Sequence, residues 1–268
     1  MWLPEAMEGP TPVSSLIHAA TMVTAGIFLM MRFSYLLSLS PSALLWIVFF
    51  GSITTLFAST VGLFQNDLKK VIAYSTCSQL GYMFLGCGLN GFHYSFFHLF
   101  NHAFFKALLF LTAGYIIHSF LGEQDMRKMG GVLKLLPFPY VMIFISSLSL
   151  LGFPFLSGFY SKEKILELFM VQYAINSGGL VTLFSFFSLV AHLALIFTIA
   201  YSVRLLYYGF YSEYRGFTIS LHYGKWKMIL PLVLLFFFSV FSGYIFKDMM
   251  IGVNTDYWNS SLWLSSLT

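Results

Sequence analysis

Charged residues are scarce in this sequence: Asp, Glu, Lys and Arg occupy only 9% of its 268 positions, whereas about a quarter of the residues in a soluble domain are charged. Apolar residues occupy 58% of the positions and aromatic residues 20%. This composition excludes an ordinary soluble domain and a disordered chain. The net charge of +4 comes from Lys and Arg residues scattered between apolar runs, so we expect no nucleic-acid partner.

Cysteine is scarce as well. Cys77 and Cys87 are the two cysteines, and they show no CxxC or Cys/His spacing, which argues against a disulfide framework, a zinc site or an iron–sulfur cluster. The sequence also lacks a glycine-rich phosphate loop and a dinucleotide-binding motif. We therefore expect this chain to hold no metal and no cofactor.

Long apolar runs dominate what is present. A helix of about 20 apolar residues crosses a bilayer, whereas barrel strands would give alternating segments of about ten residues, which we do not see. The sequence therefore predicts an all-α polytopic membrane protein, one transmembrane domain over residues 1–268 with about seven transmembrane helices. The predicted spans are residues 14–31, 42–64, 68–88, 92–119, 138–172, 180–207 and 227–246.

Lys and Arg are distributed unevenly between the two sides that these spans create. Only Arg32 and Lys247 fall on the second side. By the positive-inside rule, the first side, with the N-terminal tail, faces the cytoplasm or the mitochondrial matrix. The basic residues of the first side are Lys69, Lys70, Arg127, Lys128, Lys134, Arg204, Arg215, Lys225 and Lys227.

The fifth span contains helix-breaking residues. Pro154 and Gly158 lie within the run 138–172 and predict a broken helix near Pro154. Non-helical backbone at membrane depth is tolerated only where protein or water surrounds it, and broken helices often mark ion or substrate sites. Lys162 and Glu163 follow the break and are candidates for a gate. The alternative is a corner without chemistry.

Three titratable residues share one stripe of the fourth span. His98, His102 and Lys106 are spaced four residues apart, which aligns them over about 12 Å of helix. A lysine at the centre of a span costs about 2.5–3.5 kcal/mol and needs a partner or water. Because His changes its charge between about pH 5 and 8, the stripe is a candidate proton relay. A zinc site, a haem held by His18 and His118, and purely structural histidines are the alternatives.

Two further positions are ambiguous. His18 lies in a segment rich in small residues, where a histidine often makes only a helix–helix hydrogen bond. Asp67 and Lys69 mark a loop boundary. They are either a candidate ion pair with a coupling role or an anchor at the membrane interface.

Several stretches are specific enough to resemble a known family. Together they resemble subunit 5 of respiratory complex I, the NADH:ubiquinone oxidoreductase, and more distantly subunits 2 and 4 and the Mrp-type cation/proton antiporters. The stretches are residues 2–22, 66–76, 102–110, 123–131 and 158–163.

The resemblance implies an antiporter-like bundle that translocates protons. It implies that Lys106 is the central proton-carrying lysine and that His18, His98 and His102 bridge protonation sites. Lys162 would lie at the broken helix that leads to the outer side. Glu163 stands where the family usually has aspartate, which keeps the charge.

The resemblance also implies an assembly. The enzyme would be the whole complex, an NADH:ubiquinone reductase and proton translocase, with NADH, FMN, iron–sulfur clusters and ubiquinone in other subunits. Partners would be membrane lipid and membrane-arm subunits, especially subunit 4, in the mitochondrial inner membrane with the N-terminal tail on the matrix side. Because the family member is about twice as long, we expect a split subunit, with separate polypeptides supplying its N-terminal and C-terminal parts. The alternatives are an Mrp-type antiporter component or a non-conducting scaffold.

Overall fold

A computed structural model of the chain describes residues 5–175, 179–215, 226–252, 256–258 and 262. Every regular element of more than an isolated bridge in these ranges is a helix. The predicted all-α polytopic membrane fold is confirmed. The long helices are α1 Thr11–Arg32, α2 Pro41–Phe64, α3 Leu68–Gly88, α4 Phe92–Ser119, α5 Pro137–Leu151, α6 Ser157–Ile175, α7 Gly179–Leu206 and α8 Trp226–Ile251.

Local sequence explains several features of these helices. Pro41 and Pro137 lie in the first turns of α2 and α5, where the missing N–H costs nothing.

Part of α1, Ser14–Thr21, is a π-helix, and another π-helical segment, Tyr207–Tyr211, continues α7. The short helical segments are Ala6–Glu8, Ser34–Ser38, Val132–Leu135 and Asp256–Trp258.

Five of the described helices are long and apolar enough to cross a membrane: α1, α2, α4, α7 with its π-helical continuation, and α8. The apolar helix α5 is shorter, and α3 is long but does not reach the same hydropathy. The count of about seven crossings in a single transmembrane domain stays a prediction. The predicted runs 68–88 and 92–119 have the same bounds as α3 and α4, whereas α8 continues to Ile251, beyond the end of the predicted run 227–246.

Helix α4 occupies the middle of the bundle. Of its most apolar stretch, 72% is buried, compared with 22–33% for α1, α2, α7 and α8. It packs against α1, α3, α5, α6 and α8, whereas the outer helices expose many Phe and Leu side chains, as expected for surfaces that meet lipid. A polar side chain on α4 is therefore enclosed by other helices.

The loops that precede α3 and follow α4 meet on one face of the bundle. The Leu68 N–H donates to the Gln124 carbonyl at 3.0 Å, and the Met126 N–H donates to the Asn66 carbonyl at 3.0 Å. The Gly131 N–H donates to the carbonyl of Ser212, after α7, at 2.6 Å. These hydrogen bonds agree with the predicted alternation of spans, which puts the three loops on one side.

An ion pair orders the tip of this face. Arg127 donates to both carboxylate oxygens of Asp125, with an Nη2–Oδ2 distance of 2.7 Å. These charge-assisted hydrogen bonds hold the pKa of the Asp125 carboxyl below its usual value. Because a depressed folded-state pKa contributes stability above the unfolded pKa, this contribution is lost as pH falls through the folded value.

Arg204 ties α7 to the end of α2. Its guanidinium donates to the Leu63 carbonyl, to the Gln65 carbonyl at 2.6 Å and to the Asn66 Oδ1 at 2.8 Å. The last carbonyls of a helix have no partner within the helix, so the arginine satisfies groups that would otherwise be buried without one.

We expect Arg204→Met to lower the free energy of unfolding by about 2–3 kcal/mol, because hydrogen bonds to a charged donor are lost and carbonyls are left unpaired. Arg127→Met is the matched control, since its partner interaction is exposed and is expected to contribute less than about 1 kcal/mol. Thermal unfolding of the purified assembly would measure both. Equal destabilisation by the two variants would contradict the assignment.

Candidate functional site

The titratable stripe of α4 is completely buried. His98, His102 and Lys106 each have 0% exposure, and the ring centroids of the two histidines are 6.3 Å apart. The predicted alignment of the three side chains along one helix face is therefore present in the fold. That face is turned toward α3 and α6.

Helix α3 supplies a complementary polar stripe. Lys106 Nζ donates to Ser75 Oγ at 2.5 Å, and the His98 Nε2–H donates to Gln79 Oε1 at 3.1 Å. Ser75 precedes Gln79 on α3, whereas their partners occur in the reverse order on α4, Lys106 after His98. The polar faces of two antiparallel helices therefore meet. Among the described residues, the α3 partners of Lys106 and His98 are thus neutral polar groups.

His102 lies between these two contacts. Neither of its ring nitrogens has a hydrogen-bond partner among the described residues, although both are buried. A buried polar atom without a partner costs about 1–3 kcal/mol, so such atoms are few in folded proteins. A titratable ring with unused hydrogen-bonding capacity therefore separates His98 from Lys106.

The break between α5 and α6 is where the sequence predicts it. Helix α5 ends at Leu151, Gly152 adopts the left-handed conformation with φ of +86°, and α6 begins at Ser157. The prediction of a broken helix near Pro154 is confirmed. Glycine suits this position because a side chain at such a φ is strained.

Lys162, on α6, points back to this break. The side chain is 1% exposed, and its Nζ donates to the Leu150 carbonyl at 3.4 Å. That carbonyl belongs to the last turn of α5, which carries the negative end of the helix dipole. Nζ also lies 4.8 Å from the ring centroid of Tyr82 on α3. The amine thus contacts a carbonyl oxygen and the face of an aromatic ring.

Ser161 joins the two halves of the site. Its Oγ donates to His98 Nδ1 at 2.9 Å and lies 3.3 Å from the Gly158 carbonyl, so the hydroxyl has two acceptors within reach. Because Ser161 precedes Lys162 on α6, the broken helix is connected to the histidine stripe. Polar side chains therefore extend from Lys106 through His102 and His98 to Ser161 and Lys162.

Small residues hold the break in place. The Ser149 and Ser157 hydroxyls are 2.9 Å apart, and Ser157 Oγ donates to the Ser239 carbonyl of α8 at 2.6 Å. A Cβ at Gly158 would collide with the Ser149 backbone, and one at Gly243 would collide with the Ser157 backbone. The first turn of α6 is thus packed directly against backbone on both sides.

His18 lies on a helix that packs against α4. It is half-buried in the π-helical part of α1, which packs on α4. Ser15, one turn earlier, donates to the carbonyl of Ala107 at 3.5 Å, so this segment lies next to Lys106. π-Helical segments are frequent at functional sites.

The structure does not bring the other predicted site residues to this cluster. Glu163 is exposed, although the adjacent Lys162 is buried. Asp67 pairs with Lys70 at 3.3 Å, and Lys69 donates instead to the Gly9 carbonyl at 3.1 Å. Within the described ranges, no three His, Cys, Asp or Glu side chains gather closely enough to hold a metal ion.

The sequence alone did not identify four residues of the site, Ser75, Gln79, Tyr82 and Ser161. A signal for the first three was present, since they recur at spacings of four and three residues on one helix, which places them on a common face. Their uncharged side chains did not stand out in an apolar run. Ser161 gave no such signal, because its contact depends on how α6 is placed after the break.

Comparisons with known proteins agree with this architecture. Residues 1–191 match the model of the family described as NADH:quinone oxidoreductase/Mrp antiporter, TM. NADH-ubiquinone oxidoreductase chain 5 of Marchantia polymorpha is 55% identical over 98% of this chain and 39% of its own length. The protein of the same name from Acanthamoeba castellanii is 53% identical over 97% of this chain and 38% of its own.

A solved structure is also similar. A chain of the Mrp complex from Dietzia sp. superposes with a TM-score of 0.79 at 30% sequence identity, over 92% of this chain and 26% of that chain. The present chain spans about two fifths of the length of the chain 5 relatives. On the family match and these likenesses, the chain belongs to the NADH:quinone oxidoreductase/Mrp antiporter transmembrane family.

Proposed function

We propose that this chain is part of a proton-translocating membrane-arm subunit of NADH:ubiquinone oxidoreductase. The observation that carries the proposal is the set of completely or almost completely buried polar side chains formed by Lys106, His102, His98, Ser161 and Lys162. It lies in an otherwise apolar bundle, and buried titratable groups inside a membrane are costly and mark ion pathways. The chain 5 relatives direct the choice of complex.

Protons would pass along this set in short steps. Lys106 and Lys162 are held by hydroxyl and carbonyl oxygens, so either amine can lose its proton without breaking an ion pair. His98 is oriented by Gln79 and Ser161, and a neutral imidazole can accept a proton at one nitrogen and release one at the other. Moving one charge against 100 mV costs about 2.3 kcal/mol, which favours division into several steps.

The redox reaction would take place in other subunits. We propose that NADH, FMN, the iron–sulfur clusters and ubiquinone bind there, and that this chain contributes the translocase part of the activity. The proposed location is the mitochondrial inner membrane, with the N-terminal tail on the matrix side and Lys162 toward the outer side. Subunit 4 is a proposed neighbour.

Isolation of the native assembly tests this proposal. The assembly that contains the chain would be purified from gently solubilised membranes, its polypeptides identified by mass spectrometry, and its NADH-driven proton uptake measured after reconstitution into vesicles. We expect complex I subunits and uncoupler-sensitive uptake that requires NADH. An assembly without complex I subunits would contradict the proposal.

An Mrp-type cation/proton antiporter component is the second candidate. The similarity to a chain of the Dietzia Mrp complex favours it, because that likeness covers 92% of this chain. This function predicts Na⁺-dependent proton movement without NADH in the same vesicles. A non-conducting scaffold would instead give an assembled complex whose proton uptake is insensitive to substitutions at Lys106.

A further inference from the structure

The surroundings of Lys162 are unusual for a buried amine. Its hydrogen bond to the Leu150 carbonyl is long, at 3.4 Å, and within the described part of the chain it makes no salt bridge. Nζ also lies over the face of Tyr82, 4.8 Å from the ring centroid. A cation within about 6 Å of a ring centroid is attracted by the ring quadrupole, and more strongly where water is excluded.

Tyr82 is held firmly in this position. Its side chain is completely buried, and its hydroxyl donates to the Ala191 carbonyl of α7 at 2.8 Å. The ring is therefore fixed by α3 at one end and by α7 at the other, while its face is directed to α6. A ring fixed in this way is preorganised for the charged form of Lys162, because no side chain has to move when the proton arrives.

The other titratable groups near Lys162 repel its protonated form, are uncharged or point elsewhere. His98 and Lys106 approach from α4 and repel the ammonium when they are protonated. Tyr201 on α7 is a buried phenol, which is a neutral hydrogen-bonding group. On α6 itself, Glu163 and Lys164 are exposed, and α5 contributes the Leu150 carbonyl to the contacts of Lys162. Lys247 of α8 lies over Tyr160 and Tyr244 instead.

We propose that Tyr82 is a positioning residue for proton transfer, which stabilises the protonated form of Lys162 through the face of its ring and so sets the pH range in which this lysine retains its proton. The inference rests on the proposed function, because it assigns Lys162 a place in the relay. It concerns a residue to which we assign no proton-transfer step of its own.

The test compares Tyr82→Leu with Tyr82→Phe in the native complex, reconstituted in vesicles, with NADH-driven proton uptake measured from acid to alkaline pH. Both variants lose the hydroxyl and its bond to Ala191, so the difference between them isolates the ring. We expect Tyr82→Leu to move the alkaline limb of the uptake profile to lower pH by about one unit. Tyr82→Phe is expected to keep the wild-type profile.

Tyr244→Leu is the matched control. It removes an aromatic face that lies 5.1 Å from Nζ of Lys247, a half-exposed lysine outside the relay, and is expected to leave the profile unchanged. Equal shifts from Tyr82→Leu and Tyr82→Phe, or no shift from either, would overturn the assignment of the ring. Lys162→Met distinguishes a failure of the proposed relay from a failure of the inference about Tyr82. If Lys162→Met leaves proton uptake intact, the relay is contradicted. If Lys162→Met abolishes uptake but Tyr82→Leu causes no shift of the profile, only the inference about Tyr82 is refuted.

Discussion

Replacing Lys106 with methionine is expected to lower NADH-driven proton uptake by about tenfold or more, because a positioned proton-transfer group typically contributes a factor of at least about a hundred. Lys106 is fully buried, and its Nζ donates to Ser75 and pairs with no carboxylate of the described residues. Methionine keeps the length and apolar packing of the side chain but cannot carry a proton. The measurement is proton uptake per NADH oxidised in vesicles that contain the assembled complex.

Lys164→Met provides the control for this prediction. Lys164 is exposed on α6 and pairs with Glu167 at 2.6 Å, so its loss removes one positive charge without touching the buried set. We expect uptake near the wild-type level. If the two substitutions reduced uptake equally, the effect of Lys106 would be one of general charge or assembly rather than of proton transfer.

Gly158→Ala is expected to destabilise the assembled protein by about 1–3 kcal/mol, since adding a methyl group to a packed site forces backbone to move. The added Cβ would collide with the Ser149 backbone at the end of α5. Because the break positions Lys162, we also expect reduced proton uptake in whatever complex still assembles. The amount of intact complex on native gels and its thermal stability would measure the effect.

Gly26→Ala is the matched substitution. Gly26 lies in α1, and a Cβ there would meet nothing within 4 Å, so alanine should be neutral or slightly stabilising through its helix propensity. Loss of assembly in Gly26→Ala as well would show that the protein tolerates no alanine at helical glycines. The packing of Gly158 on Ser149 would then not be the cause.

The fold was largely predictable, and for a simple physical reason. Lipid requires each span to be a long apolar helix that satisfies its own backbone, so the boundaries of apolar runs nearly coincide with those of helices such as α4. The break near Pro154 was predictable too, because proline and glycine act locally. The π-helical segment around His18 was not predictable, since its i→i+5 hydrogen-bonding pattern depends on packing against α4.

The site was predictable along one helix and not between helices. The alignment of His98, His102 and Lys106 follows from helical periodicity alone. The partners Ser75 and Gln79 required knowledge of which face of α3 meets α4, and apolar residues all around α3 conceal that face.

Two pairs of predicted site residues lie apart in the structure for a related reason. Lys162 and Glu163 are adjacent in sequence, but consecutive residues of a helix point about 100° apart, so one is buried and the other exposed. Asp67 pairs with Lys70 rather than Lys69, because residues three apart on a helix face each other and residues two apart do not. Pairings of this kind can be read from spacing once the helix start is known.

The most direct measurement compares Lys106→Arg with the wild-type complex in NADH-driven proton uptake. Arginine keeps a positive charge at this position but does not release its proton in proteins. If Lys106 carries protons, uptake is lost in Lys106→Arg as it is in Lys106→Met, although the complex assembles and the charge is retained. Normal uptake in an assembled Lys106→Arg complex would contradict the relay, because a fixed charge would then be sufficient.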